Sequence, residues 1–245
     1  MSKTLLIKKE INSFNKKISV SGDKSLSIRW ILLASQAIGK SKAYNLLMSE
    51  DVFAALEAIK KLGIKVLIKK KYCAIFGKGL NSFTYKNGLV INAKNSGTLG
   101  RLILGLLIKS TKKIKLIGDK SLSKRDFSRG TEPLKKFGAK FQYKVKNKLP
   151  LSIIGSNNSK GIYYVENKGS AQCKSSVMLA ALNSSGTTYI KAKKSRNHTE
   201  LLFKYLKVPI KIKRTKKYDF INIIKPNKIN AFNYNIPGDI SSSAF

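Results

Sequence analysis

The feature that most constrains this chain is a recurrence. Lys24, Gly97 and Ser170 occupy the same point in three similar stretches, and 97 − 24 and 170 − 97 both equal 73. Each stretch has a short strand-forming run, a turn rich in Gly and Ser, and an apolar run of helical length. Ile18-Ser19-Val20 leads through the turn at Lys24 to Trp30-Ile31-Leu32-Leu33-Ala34. Val90-Ile91-Asn92 leads through Gly97 to Leu102-Ile103-Leu104, and Tyr163-Tyr164-Val165 leads through Ser170 to Val177-Met178-Leu179. A second strand and a second helix follow in each unit, with the helices over 54–62, 133–137 and 201–206. Gly63-Ile64-Lys65-Val66 and Gly138-Ala139-Lys140-Phe141 open matching closing strands. A period this long exceeds that of solenoid repeats, so each unit is a whole supersecondary assembly.

The first junction, Ser21-Gly22-Asp23-Lys24-Ser25-Leu26-Ser27-Ile28-Arg29, reads as a strand end, a tight turn and a helix N-terminus. Free backbone N–H groups and the helix dipole favour an anion there, and a Lys and an Arg on the same turn suit phosphate or carboxylate. An ordinary helix start capped by Asp23 or Ser25 is the simpler reading of this stretch taken alone. Its repetition in three units is what favours a built anion site.

Composition narrows the class. With 245 residues, 42% of them hydrophobic, the chain makes one large or two modest globular domains. No apolar run is long enough to span a membrane, the densest being 102–108, and the N-terminus lacks a signal-peptide core. Cys73 and Cys173 are isolated, so free thiols and a cytoplasmic location are expected. The formal charge of +37 raises nucleic-acid or membrane-surface binding. Lysine pairs such as Lys60-Lys61, Lys112-Lys113 and Lys193-Lys194 occur in every unit, however, which reads as solvated faces with no specific nucleic-acid partner and no membrane.

Along the chain, Ser49-Glu50-Asp51 announces the first unit's second helix, with a cap and acids in its first turn. Gly118 to Asp126 reads as a loop, and Ser195-Arg196-Asn197-His198-Thr199-Glu200 precedes the third unit's second helix. Residues 235–245 restart the pattern of Val20 to Ser25, so the chain reads as truncated where a fourth helix would begin.

These motifs, together with Asn95-Ser96-Gly97-Thr98, Arg125 and Gly169-Ser170-Ala171-Gln172, occur in an order that resembles the 5-enolpyruvylshikimate-3-phosphate synthase family. The resemblance covers the whole chain but only about the N-terminal half of that family's length. It implies an α/β (α+β) enolpyruvyl-transferase-like lobe of three βαβαββ units, helices inside and mixed sheets outside. The units are expected over about 18–80, 89–154 and 161–224 of a lobe spanning 18–234. Residues 1–17 would be an opening strand paired with a second lobe, and 235–245 the start of that lobe.

The implied activity transfers the enolpyruvyl group of phosphoenolpyruvate to the 5-hydroxyl of shikimate 3-phosphate, without metal or cofactor, in a protein that is monomeric at full length. Lys24, Ser25 and Arg29 would hold shikimate 3-phosphate, with Lys24 also reaching phosphoenolpyruvate and able to take part in proton transfer. Gly97 and Arg125 would clamp the phosphoenolpyruvate phosphate. Ser170, Ala171 and Gln172 would face shikimate 3-phosphate, with Ser195 and Arg196 as further contacts. The main acid and base would come from the second lobe.

Several positions depart from the family pattern. Ile28 replaces a polar residue, Ala171 a second Ser and Asn197 an Asp, while Gly100 and Asp126 are expected to loosen a helix entry and a loop. His198 reads as a helix-start hydrogen-bonder, Cys173 as a small buried residue, Asp51 and Glu50 as capping acids, and Arg101 as half of a structural ion pair. The sister transferase acting on UDP-N-acetylglucosamine is disfavoured, because Ser25 stands where it has Asn and no Gly-rich loop carries a reactive Cys. A non-catalytic nucleic-acid binder rests on charge alone.

Overall fold

The computed structural model describes residues 20–239, with Leu6, Ser13 and Asn15. The first unit holds α1 (Lys24–Ser35), β1 (Ile38–Tyr44), α2 (Glu50–Lys61), β2 (Lys65–Ile68) and β3 (Cys73–Lys78). The second holds β4 (Leu89–Asn92), α3 (Gly97–Leu106), β5 (Ile114–Ile117), α4 (Lys120–Lys124), α5 (Ser128–Lys136), β6 (Lys140–Tyr143) and β7 (Leu151–Ile154). The third holds β8 (Tyr163–Glu166), α6 (Ala171–Ala181), β9 (Thr187–Lys193), α7 (His198–Tyr205), β10 (Ile210–Arg214) and β11 (Tyr218–Ile224), and β12 (Asn233–Asn235) follows.

Three four-stranded mixed sheets wall the lobe, in the orders β12-β1-β3-β2, β4-β5-β7-β6 and β8-β9-β11-β10. In each, one parallel pair (β1 with β12, β4 with β5, β8 with β9) adjoins antiparallel neighbours. The α/β lobe of repeated units, helices inside and mixed sheets outside, is therefore as expected.

The interior helices follow from their sequences. In α1 Ile28, Trp30, Ile31, Leu32 and Leu33 are all fully buried, because a helix with apolar residues on nearly every side lies at the centre. Each such side chain contributes about 1.5–3 kcal/mol. Helices α3 and α6 are sheathed likewise and pack so closely that a Cβ on Gly105 would collide with the Ser176 carbonyl oxygen. Along β9 and β11 every second residue is buried, so one face covers the helices and the other meets solvent.

Of the strand expected ahead of α1, Ile18 and Ser19 lie outside the described residues, and Val20 is not in a strand. The parallel neighbour of β1 is β12, whose Asn233 pairs with Lys42 and whose Asn235 pairs with Tyr44. The reason is aromatic: Phe232 and Tyr234, flanking Asn233, pack against Trp30 and Tyr205 at ring separations of 5.4–6.4 Å. Residues 236–239 also fold back on the first unit, where Asp23 N–H donates to the Pro237 carbonyl and Asp239 N–H to that of Ser21. The expected opening strand over 1–17 lies outside the described residues, apart from three isolated positions, as do 240–245.

One expectation needs correction: 118–126 holds the short helix α4 rather than a plain loop. Asp119 caps it by accepting from Leu122 N–H at 2.7 Å, as Asp23 caps α1 by accepting from Leu26 N–H at 2.7 Å. Asp126 does not loosen the chain beyond it, because its carboxylate accepts from both the Ser128 N–H and the Ser128 hydroxyl at the start of α5. Gly100 lies buried inside a continuous α3.

Candidate functional site

The three junctions of the repeat become three capped helix ends. Asp23, Ser96 and Ser170 are the N-caps of α1, α3 and α6, and each side chain accepts from the backbone N–H three residues on. Cross-helix bonds bring these ends together. Gln172, at the start of α6, donates to Thr98 Oγ1 (3.0 Å) and accepts from Arg101 Nη1 (3.2 Å), both on α3. From α1, Arg29 Nη2 donates to Ser175 Oγ of α6 (3.0 Å) and Nε to Thr199 Oγ1 of α7 (2.9 Å). Three N-terminal dipoles thus gather at one end of the lobe, which is an anion-favouring arrangement.

One group of side chains surrounds Gly97. A Cβ there would lie 2.9 Å from Arg101 Nη1 and 3.1 Å from Arg125 Nη1, so both guanidinium tips close over this backbone. Arg125 is exposed and donates to Asn95 Oδ1 (3.4 Å), while Arg101 donates to the carbonyls of Gly97 (3.3 Å) and Asp126 (3.1 Å) and stacks on Phe127. Burial lowers the Arg101 pKa, and the positive charges of Arg125 and Arg129 lower it further. Such mutual repulsion is relieved by a bound anion. Arg101 is not the structural ion pair expected, since its bonds run to a side-chain amide and to carbonyls.

Around Arg29 lies the second group. Its side chain is 3% exposed, and its Nη1 donates to the Ser25 carbonyl at 3.0 Å, so here it is an internal strut among α1, α6 and α7. Burial lowers its pKa to about 10, against the opposing pull of Glu200 and Asp23. Lys24 is exposed and pairs with Asp51 at 3.3 Å, so Asp51 serves more than the capping role expected of it. Ser49 does cap α2 by position, but its hydroxyl makes no capping bond.

The remaining expected residues are placed as follows. Ala171 is the first residue of α6, half-exposed beside the Ser170 cap. Ser195 Oγ is buried without a hydrogen-bond partner, and Arg196 is exposed. His198 opens α7, yet its Nδ1 is buried and unpartnered, so it is not the helix-start hydrogen-bonder expected. Cys73 and Cys173 are both buried free thiols.

Sequence reasoning missed Thr98, Ser175, Thr199 and Glu166. Glu166 is 3% exposed; its carboxylate accepts from Ser170 N–H (2.8 Å), Lys168 N–H (3.3 Å) and Arg129 Nη2 (2.7 Å). It fixes the turn at Gly169, where φ is +68°, a left-handed value suited to glycine. An acid ending a strand four residues before a helix cap was the available signal. The carboxylates near the site are engaged: Asp23 in a cap, Asp51 with Lys24, Asp126 with Ser128, Glu166 with Arg129, and Glu200 with Lys174.

Comparison with known proteins shows the family. A family model described as EPSP synthase (3-phosphoshikimate 1-carboxyvinyltransferase) matches residues 8–245. The chain is 37% identical over 229 residues to a 3-phosphoshikimate 1-carboxyvinyltransferase of Thermoanaerobacter sp. (strain X514), covering 93% of this chain and 52% of that one. It is 37% identical over 232 residues to the enzyme of that name from Streptococcus pyogenes serotype M4, at 93% and 53% coverage. Among solved structures, EPSP synthase from Acinetobacter baumannii superposes with a TM-score of 0.85 at 32% identity, over 94% of this chain and 51% of that one. The chain spans about half the length of the relatives it matches. With the family pattern covering nearly all of its residues, the chain belongs to the EPSP synthase family.

Proposed function

We propose that this chain supplies the shikimate 3-phosphate cradle, and part of the phosphoenolpyruvate clamp, of a 3-phosphoshikimate 1-carboxyvinyltransferase. The carrying observation is the convergence of Arg101 and Arg125 on the bare backbone of Gly97, with Gln172 bonded to Arg101, at the shared end of three helices. Two anionic substrates need several fixed cations and N–H donors in one place. Lys24, Ser25, Ser170 and Gln172 take shikimate 3-phosphate, while Arg125 and the Gly97 backbone take the phosphoenolpyruvate phosphate. Arg29 acts from below by holding the Ser25 carbonyl and the Ser175 hydroxyl.

In the reaction the 5-hydroxyl of shikimate 3-phosphate adds to the central carbon of phosphoenolpyruvate while the methylene takes up a proton. The tetrahedral adduct then loses phosphate and a proton from the new methyl group, which restores the enol double bond. Both proton transfers need a positioned acid and base. The carboxylates named above are committed to caps and ion pairs, so the acid and base belong to a second lobe, whose closure also excludes water.

A phosphate-release assay tests this. The 245-residue chain with both substrates is expected to release none, and to release phosphate when a relative's separately produced second lobe is added. Turnover by the chain alone would refute the division of labour. Silence of the reconstituted pair, with both pieces folded and associated, would refute the assigned reaction.

A further inference from the structure

Lysine is spread over all three sheets, but exposed aromatic rings on the strands are most numerous on the third. On the solvent face of the third sheet, the register sets Lys211, Asn222, Tyr189 and Tyr163 in one row across the four strands. Lys213, Phe220, Lys191 and Val165 make the next row, and Tyr218 stands opposite Lys193 beyond it. Tyr163, Tyr189 and Phe220 are 61%, 47% and 38% exposed. The Lys191 ammonium lies 4.8 Å from the Tyr218 ring centre and 5.9 Å from that of Phe220. In the first sheet Phe76 stands between Lys40 and Lys65, and Tyr44, the one ring on its strands that is comparably exposed at 41%, packs on Tyr72 beside Lys42. The second sheet's outward row, Val90, Lys115, Ser152 and Gln142, carries none.

We propose that the outer face of the third sheet is a sequence-tolerant binding surface for single-stranded nucleic acid. Bases have π faces that stack on exposed rings whatever their identity, and lysines between the rings hold the phosphates. In a duplex the bases are already stacked on one another, so the rings have no free base face to meet. Charge selects the occupant: a polyanion is drawn to a chain of formal charge +37, whereas a second copy is repelled. None of these residues belongs to the groups around Gly97 or Arg29. The lysine count taken alone reads as diffuse charge, and it is the concentration of rings on one face that changes that reading.

The test is fluorescence anisotropy with a labelled oligouridylate of about 12 nucleotides, a duplex of equal length, and phosphatidylserine vesicles as competitor, across a range of salt. The unaltered chain is expected to bind the single strand about tenfold or more tightly over the duplex. Changing Tyr163, Tyr189 and Phe220 together to Leu keeps apolar bulk and should weaken the single strand by about tenfold or more while leaving the salt slope unchanged. Lys115→Gln with Lys140→Gln, on the second sheet, should leave the preference for single strands intact. Equal affinity for duplex and single strand would overturn the proposal, and this comparison needs no variant. A Leu variant that folds and binds RNA like the unaltered chain would also overturn it. So would vesicles that displace the oligonucleotide and retain their affinity for the Leu variant, which would assign the face to anionic lipid.

Discussion

Lys174 of α6 and Glu200 of α7 form an ion pair with side chains 0% and 2% exposed, beneath the helix ends that carry the candidate site. Arg29, 3% exposed, is a second buried cation within the influence of the same carboxylate. Removing Glu200 therefore does more harm than removing the whole pair. Glu200→Gln leaves Lys174 without a counter-charge and should cost about 3–5 kcal/mol. Lys174→Met combined with Glu200→Leu should recover most of that loss, because Arg29 keeps its bonds to Ser25, Ser175 and Thr199. Urea unfolding of the single and double variants measures the coupling. Additive losses would show that the two side chains do not act as a pair.

Glu166 should behave differently. Its partner Arg129 is 43% exposed and can turn to water, so Glu166→Gln should cost only about 2 kcal/mol, largely from lost charge-assisted bonds. The larger effect should fall on the turn at Gly169 and Ser170, which loses its anchor. Amide exchange at 168–172 should quicken selectively in this variant, and unchanged exchange there would separate Glu166 from the cap of α6.

The fold was legible in the sequence wherever local signals agreed with packing. The spacing of Lys24, Gly97 and Ser170 located three helix starts, and the family resemblance implied that these helices lie inside the sheets. The partner of β1 was not legible, because β12 pairs across nearly the whole chain and no local pattern encodes that register. Helix α4 had a signal that went unread. Gly118 to Ser123 repeats Gly22 to Ser27 residue for residue, and the same Asp caps form in both. One helix runs 12 residues because Ile28 to Leu33 continue into the core, while the other stops after 5 where Arg125 and Asp126 meet solvent. At the site, cation types were readable but their states were not, since burial of Arg29 and pairing of Lys24 with Asp51 depend on neighbours far along the chain.

His198 offers a test of the electrostatics, being the single histidine of the chain. Burial lowers its pKa from 6.5, helped by Arg29 and Arg196 and opposed by Asp23 and Asp239. As pH falls through about 6.5, the unfolded chain takes up a proton before the folded one does, so stability falls with pH in that window. The imidazole resonance should titrate below 6.5, and inorganic phosphate should move it upward by offsetting the nearby guanidinium charge. A midpoint at or above 6.5 without added anion would contradict the packing of α7 described here.

The central claim is that three gathered helix ends form a specific substrate cradle rather than one more basic surface. Calorimetric titration of shikimate 3-phosphate into the 245-residue chain tests it most directly. Weak binding at a single site is predicted, abolished by Lys24→Ala and by Gln172→Ala and unchanged by Lys115→Ala on the outer face of the second sheet. Equal heats from all of these variants, or several equivalent sites, would contradict it.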